Sequence, residues 1–247
     1  MTKFVIFTTP RTGSTLLVKT LDTHPEVLCA GELFFLKKGI YHVECQYPFI
    51  RIPALGNKIN YLINYPKILL TIKIFLNNFF KGADTKIKAT GFKLMHFQTY
   101  YTPGIFGYLE KNSVKTIVLI RKNILRSTLS DLRARATKVY HNEGNNTVIP
   151  KFKVDIAVLE KKMKEIESFN KQLETASKNL DRKIVYYEDF DNWEQTISGI
   201  LKYLDIADIP LKAVSKKLNP DKLEEMIENY AEVSGWLNKN GYSEFLH

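Results

Sequence analysis

Cysteine is almost missing from this chain, with only Cys29 and Cys45 among 247 residues. Two thiols cannot frame a disulfide scaffold at this length, which points to a reducing compartment and two ordinary buried thiols. Long apolar runs are missing too. The most apolar stretch, Asn60–Phe80, is interrupted by Pro66, Lys67, Lys73 and asparagines, so it lacks the unbroken run of about 20 residues that crosses a bilayer. The opening run Phe4-Val5-Ile6-Phe7 halts at Thr8-Thr9-Pro10, too short for a signal-peptide core, and a cytoplasmic protein is expected. The histidines and cysteines lack the close spacing of zinc ligands, and no acidic cluster resembles a magnesium-holding motif, so no metal is expected.

Arginine is scarce as well. Arg11, Arg51, Arg121, Arg126, Arg133, Arg135 and Arg182 are the whole set, so lysine supplies most of the net charge of +10. Such an excess suits nucleic acid, a membrane surface or a small polyanion, and composition does not choose among them. An arginine beside a strand end is a better candidate, because its planar fork matches oxyanions.

What is present is ordinary globular composition, 45% hydrophobic and 25% charged, enough for one domain over residues 1–247. Short runs of branched and aromatic residues alternate with helical patterns, which predicts an α/β fold with a parallel sheet. Strands are expected at Lys3–Thr8, Gly91–Met95, Thr116–Ile120 and Ile184–Tyr187. Helices are expected at Gly13–Thr23, Ile124–Arg135, Asp155–Lys178, Trp193–Leu204 and Asp221–Leu237. Asn60–Phe80 reads as a pair of helices packed on the sheet, with a lid or an amphipathic patch for an acceptor or lipid surface as the alternative. Thr137–Pro150 reads as a loop.

The segment Phe4-Val5-Ile6-Phe7-Thr8-Thr9-Pro10-Arg11-Thr12-Gly13-Ser14-Thr15 is a buried strand, a tight turn and a helix start. Gly13 permits close backbone approach, the first helical amides point outward, Thr12, Ser14 and Thr15 line the turn, and Arg11 adds positive charge. This is anion-binding chemistry. The plainer alternative is a βα turn capped by Ser14 or Thr15, with Arg11 in solvent. It is not a Walker A loop, since no lysine follows Gly13.

The run Pro10-Arg11-Thr12-Gly13-Ser14-Thr15 resembles the 5′-phosphosulfate loop of sulfotransferases that use 3′-phosphoadenosine 5′-phosphosulfate (PAPS). Thr116-Ile117-Val118-Leu119-Ile120-Arg121, with Ser127 and Ser130 on the following helix, resembles that family's 3′-phosphate site. The surroundings Leu129-Ser130-Asp131-Leu132-Arg133 favour Ser130 over Ser127. His24-Pro25-Glu26-Val27 with Gly31-Glu32-Leu33-Phe34, Gly91-Phe92-Lys93-Leu94-Met95 with Gln98, Val185-Tyr186-Tyr187-Glu188-Asp189-Phe190 and Asn219-Pro220 through Tyr230 resemble further segments of the bacterial carbohydrate enzymes, of trehalose and nodulation-factor type.

The resemblance implies a P-loop-like parallel sheet with helices on both faces. It also implies transfer of a sulfuryl group from PAPS to an acceptor hydroxyl, of a carbohydrate or glycolipid by preference, with 3′,5′-adenosine bisphosphate (PAP) as the product. Glu32 stands where those enzymes carry their carboxylate base. Arg11, Ser14 and Lys93 would serve the leaving group, and His96 is the competing base. Residues 37–88 and 137–150, with Tyr140 and His141, would form acceptor-side insertions or lids. The expected partner is a small-molecule or carbohydrate acceptor, with no nucleic acid and at most a transient membrane contact; oligomeric state is unreadable. A P-loop-like kinase or hydrolase and a non-catalytic polyanion-binding module are the alternatives.

Overall fold

The computed structural model describes residues 1–34, 58–81, 84–137, 150–214 and 222–246. Side chains of residues 58–64 and 137 lie outside that description, as do Cys45, Tyr140, His141 and, of the two expected insertions, residues 37–57, 82–83 and 138–149.

Five parallel strands form one sheet in the order β2-β3-β1-β4-β5: β1 Thr2–Thr8, β2 Val27–Glu32, β3 Ala89–Met95, β4 Lys115–Ile120 and β5 Arg182–Tyr186. β1 lies at the centre, and Phe4 to Phe7 are fully buried, because both faces are covered by helices and a continuous apolar run suits that setting. Alternate residues serve opposite faces. Phe4 and Ile6 meet α1 (Ser14–Leu21) and α6 (Trp193–Tyr203), through Leu17, Leu21, Ile197 and Ile200. Val5 and Phe7 face the opposite layer. There they meet α2 (Lys58–Lys81), α3 (Ile105–Lys111) and the C-terminal end of α5 (Ile156–Ala176), through Ile72, Leu76, Leu109 and Leu173. A third cluster packs α4 (Ile124–Thr137) against α5 and α7 (Tyr230–Lys239) through Leu125, Leu129, Met163, Val233 and Leu237.

The expected α/β layout is present, and four elements refine it. The segment His24–Phe34 supplies an edge strand, β2. The apolar segment is one continuous helix that runs through Pro66, not a pair. A short helix, α3, follows Gly104, whose φ of 73° suits glycine. The last helix begins at Tyr230 and not at Asp221. Ile227 bridges to Phe152, and the Asn229 side chain bonds both the N–H and the carbonyl of Val154, which draws this stretch out of helical conformation.

Chain direction defines the site. From β1 the chain crosses on the α1 face toward β2, whereas from β4 it crosses on the opposite face toward β5. The connections diverge between β1 and β4, and a crevice opens at their carboxyl ends. Arg11 follows β1 and Arg121 follows β4 at that point.

Candidate active site

The turn after β1 is held from within. The Thr8 and Thr12 hydroxyls are 2.6 Å apart; Thr8 donates to the Leu119 carbonyl at 2.8 Å and Thr12 to the Thr9 carbonyl at 3.0 Å. Thr12 is therefore a brace, with its hydroxyl committed to the loop. Arg11 and Gly13 both adopt left-handed conformations, with φ of 64° and 77°. The first α-helical bond runs from the Leu17 N–H to the Gly13 carbonyl, which leaves the Ser14, Thr15 and Leu16 amides ahead of the ladder. Gly13 is the N-cap residue, and no side chain caps it. The capped-turn alternative thus fails.

The start of α4 contrasts with this open terminus. Asn123 accepts from the Arg126 N–H, and the Glu188 carboxylate accepts from the Lys122 and Asn123 amides. Both helices follow a parallel strand, and α1 alone leaves its amides and dipole open to an anion.

Three residues from distant segments meet over the open turn. Arg11 Nε donates to Ser130 Oγ at 2.8 Å, and Arg121 Nη1 donates to the Arg11 carbonyl at 3.2 Å. The Arg121 guanidinium carbon lies 4.2 Å from the centre of the Tyr187 ring. Arg121 is only 6% exposed, its Nε has no partner, and no described carboxylate forms a salt bridge with it. Burial pushes this guanidinium below its ordinary value, and the Tyr187 and Glu188 side chains oppose that shift. It stays cationic all the same. A buried cation with an unused donor fits an anionic group. Ser127 lies one turn away on α4, 1% exposed, and its hydroxyl also lacks a partner. Ser130 touches Arg11; Ser127 does not.

A second cluster lies on the α1 face at the β2–β3 edge. Lys93 points from β3 and is 3% exposed. Its Nζ is 3.0 Å from Glu32 Oε1 and donates to Thr15 Oγ1 at 3.3 Å. Gln98 Nε2 donates to Glu32 Oε2 at 2.9 Å, and Gln98 Oε1 accepts from the Met95 N–H at 2.9 Å. Because the backbone N–H claims the Gln98 oxygen, its nitrogen must face Glu32. Both carboxylate oxygens are therefore held. Glu32 ends a strand beside a buried lysine and is not a solvated loop residue. Near it, burial and the Glu32 charge push the Tyr101 phenol up to about 12.

His96 follows β3 but faces the other layer, ringed by Phe7, Tyr100 and Phe169 at centroid distances of 6.4, 5.3 and 5.0 Å. Its Nδ1 has no partner. Burial lowers its pKa from the ordinary 6.5, and a hydrogen bond to Gln172 opposes this. The folded state disfavours the imidazolium, so the unfolded chain binds more protons once pH drops below about 6.5. Stability is expected to fall through that window, and His96→Phe to fall less. Thermal melts from pH 7.5 to 5.5 check this, and parallel curves for the two proteins would contradict it.

The motifs had marked Arg11, Gly13, Ser130, Arg121, Glu32 and Lys93. Gln98 as a clamp on Glu32 and Tyr187 as a platform under Arg121 were not assigned. Both stood inside matched segments, but their roles depend on which strands become neighbours.

An open α1 terminus at the point where the chain reverses across a five-stranded parallel sheet defines a P-loop-like fold, and solved structures that share it include sulfotransferases. The structure superposes over its whole length on the sulfotransferase of Alicyclobacillus acidocaldarius, with a TM-score of 0.50, 12% identity and 96% of that chain covered. The sulfotransferase domain of the curacin biosynthetic pathway gives 0.50 and 14% identity over 96% of this chain and 90% of that one. No protein-family model matches the sequence. Nodulation protein H of Rhizobium meliloti (strain 1021) is 22% identical over 256 residues, spanning 98% of this chain and 94% of that protein. The chain thus has the fold of these sulfotransferases and is similar to nodulation protein H along nearly its full length.

Proposed function

We propose that the chain is a sulfotransferase that moves a sulfuryl group from PAPS to an acceptor hydroxyl, with Glu32 as the general base. The observation that carries this reading is the contact of Arg11 with Ser130 at 2.8 Å, which brings two segments far apart in sequence together at one crevice. The α1 amides and Arg11 would receive the 5′-phosphate. Arg121, whose buried Nε is otherwise unused, and Ser130, already tied to Arg11, would hold the 3′-phosphate.

Sulfuryl transfer, like phosphoryl transfer, depends mainly on alignment and charge stabilisation. Glu32 would take the acceptor proton as the new oxygen–sulfur bond forms. The bond from sulfur to the bridging phosphate oxygen breaks in the same step, and PAP leaves with that electron pair. Lys93 lies between Glu32 and Thr15 of the loop, so one ammonium can balance charge on either side. Gln98 would keep the Glu32 carboxylate aimed. A carbohydrate or glycolipid hydroxyl is the proposed acceptor, on the strength of the nodulation-type relationship.

Calorimetric titration with PAP, AMP and magnesium-ATP tests the donor site. PAP should bind without metal and more tightly than AMP. A charge-assisted contact contributes about 1.5–3 kcal/mol, so Arg121→Ala should weaken PAP by roughly ten- to a hundredfold and AMP far less. Arg11→Ala should weaken both. Equal affinity for PAP and AMP, or a preference for magnesium-ATP, would favour a kinase or hydrolase.

A further inference from the structure

The inner side of α2 is spent on the core: Ile68, Ile72, Leu76 and Phe80 are all buried against the sheet. Its outer side is unlike a water-facing surface. Leu70 and Ile74 are 55% and 51% exposed. Lys67, Leu70, Ile74, Asn78 and Lys81 follow one another at steps of three and four, so they share one stripe, with exposed Lys73 beside it. From Lys58 to Lys81 the helix contains no Asp or Glu.

Apolar side chains in a purely cationic stripe, on a chain of net charge +10, match the two faces of a lipid interface. The apolar pair can enter the acyl boundary while lysines reach the headgroups along their own stems. No described helix is long and apolar enough to cross a membrane, so contact is peripheral. We infer that the outer face of α2 docks on an anionic membrane surface, with Leu70 and Ile74 inserted and Lys67, Lys73 and Lys81 on the headgroups.

The charge selects this occupant. A second copy of this chain would set like-charged lysine rows against each other, whereas an anionic leaflet attracts each of them. The inference is independent of the transfer chemistry.

Sedimentation of the full chain with phosphatidylcholine vesicles, with and without 30% phosphatidylglycerol, provides the test. Binding should require the anionic lipid and fall as salt rises from 50 to 300 mM. The pairs Leu70→Gln with Ile74→Gln, and Lys67→Gln with Lys73→Gln, should each weaken it at least tenfold. All four side chains are exposed, so melting temperatures should stay near wild type, which separates lost docking from lost folding. No binding to anionic vesicles would overturn the inference. So would wild-type binding by either double variant, or a concentration-dependent dimer that the Leu70/Ile74 variant abolishes without any change in vesicle binding.

Discussion

Replacing Glu32 by Gln should reduce turnover by roughly two to four powers of ten and leave PAP affinity within about twofold of wild type. The reasoning starts from the two clamps. Glu32 Oε2 accepts from Gln98 and Oε1 pairs with Lys93, so the carboxylate has a fixed direction, and glutamine keeps its shape and one acceptor. What glutamine lacks is the capacity to take a proton. The change also leaves the buried Lys93 ammonium without its counter-charge. Because breaking a buried pair can cost about 3–5 kcal/mol, melting temperature must be followed beside activity. Intact PAP binding in a folded, inactive variant would assign the loss to proton transfer. Unchanged turnover would remove Glu32 from that role and return attention to His96. Turnover of His96→Phe should by contrast stay near wild type, since that imidazole sits in an aromatic cage on the other side of the sheet.

Gly13→Ala should cost at least about tenfold in PAP affinity. At a φ of 77° an alanine pays for its left-handed conformation, about 1–2 kcal/mol. Its Cβ would also lie 2.8 Å from Cδ2 and 2.9 Å from Cε2 of Tyr187. That ring has little freedom to yield: Phe190 meets it edge-on at 5.8 Å, and Arg121 stacks on it at 4.2 Å. Relief of the clash therefore has to move the loop or the guanidinium, and either movement pulls the two proposed phosphate sites apart. Calorimetry with PAP, together with thermal melts, checks this. Wild-type affinity would mean that Tyr187 does not couple the loop to Arg121.

These two residues also show how far the sequence could be read. Gly13 stood out because a strand, a tight turn and a helix start surround it, and β1, β3 and β4 were visible because buried parallel strands are near-continuous runs of branched and aromatic residues; β5, a partly exposed edge strand, still shows the short apolar run Ile184-Val185-Tyr186. The edge strand β2 was not, since Val27-Leu28-Cys29-Ala30 is short and exposes Leu28. The start of α7 was misplaced because a bridge to Phe152 and a side-chain clamp from Asn229 act over long sequence distances and leave no local pattern. The site divides in the same way. Arg11, Ser130 and Arg121 sit in short motifs, whereas the hold of Gln98 on Glu32 and the support of Arg121 by Tyr187 exist only once the strands lie side by side.

The central place of β1 bears on how the chain folds. Its first partner, β3, begins at Ala89 and its second, β4, at Lys115. A nascent chain therefore carries Phe4-Val5-Ile6-Phe7 for most of its early synthesis with no strand to pair with, a condition that invites aggregation. Pairing across such separations is slow, because loop closure must precede any gain in contact energy. The turn after β1 is held by the bond from the Thr8 hydroxyl to the Leu119 carbonyl, so it cannot take its final form before β4 has docked.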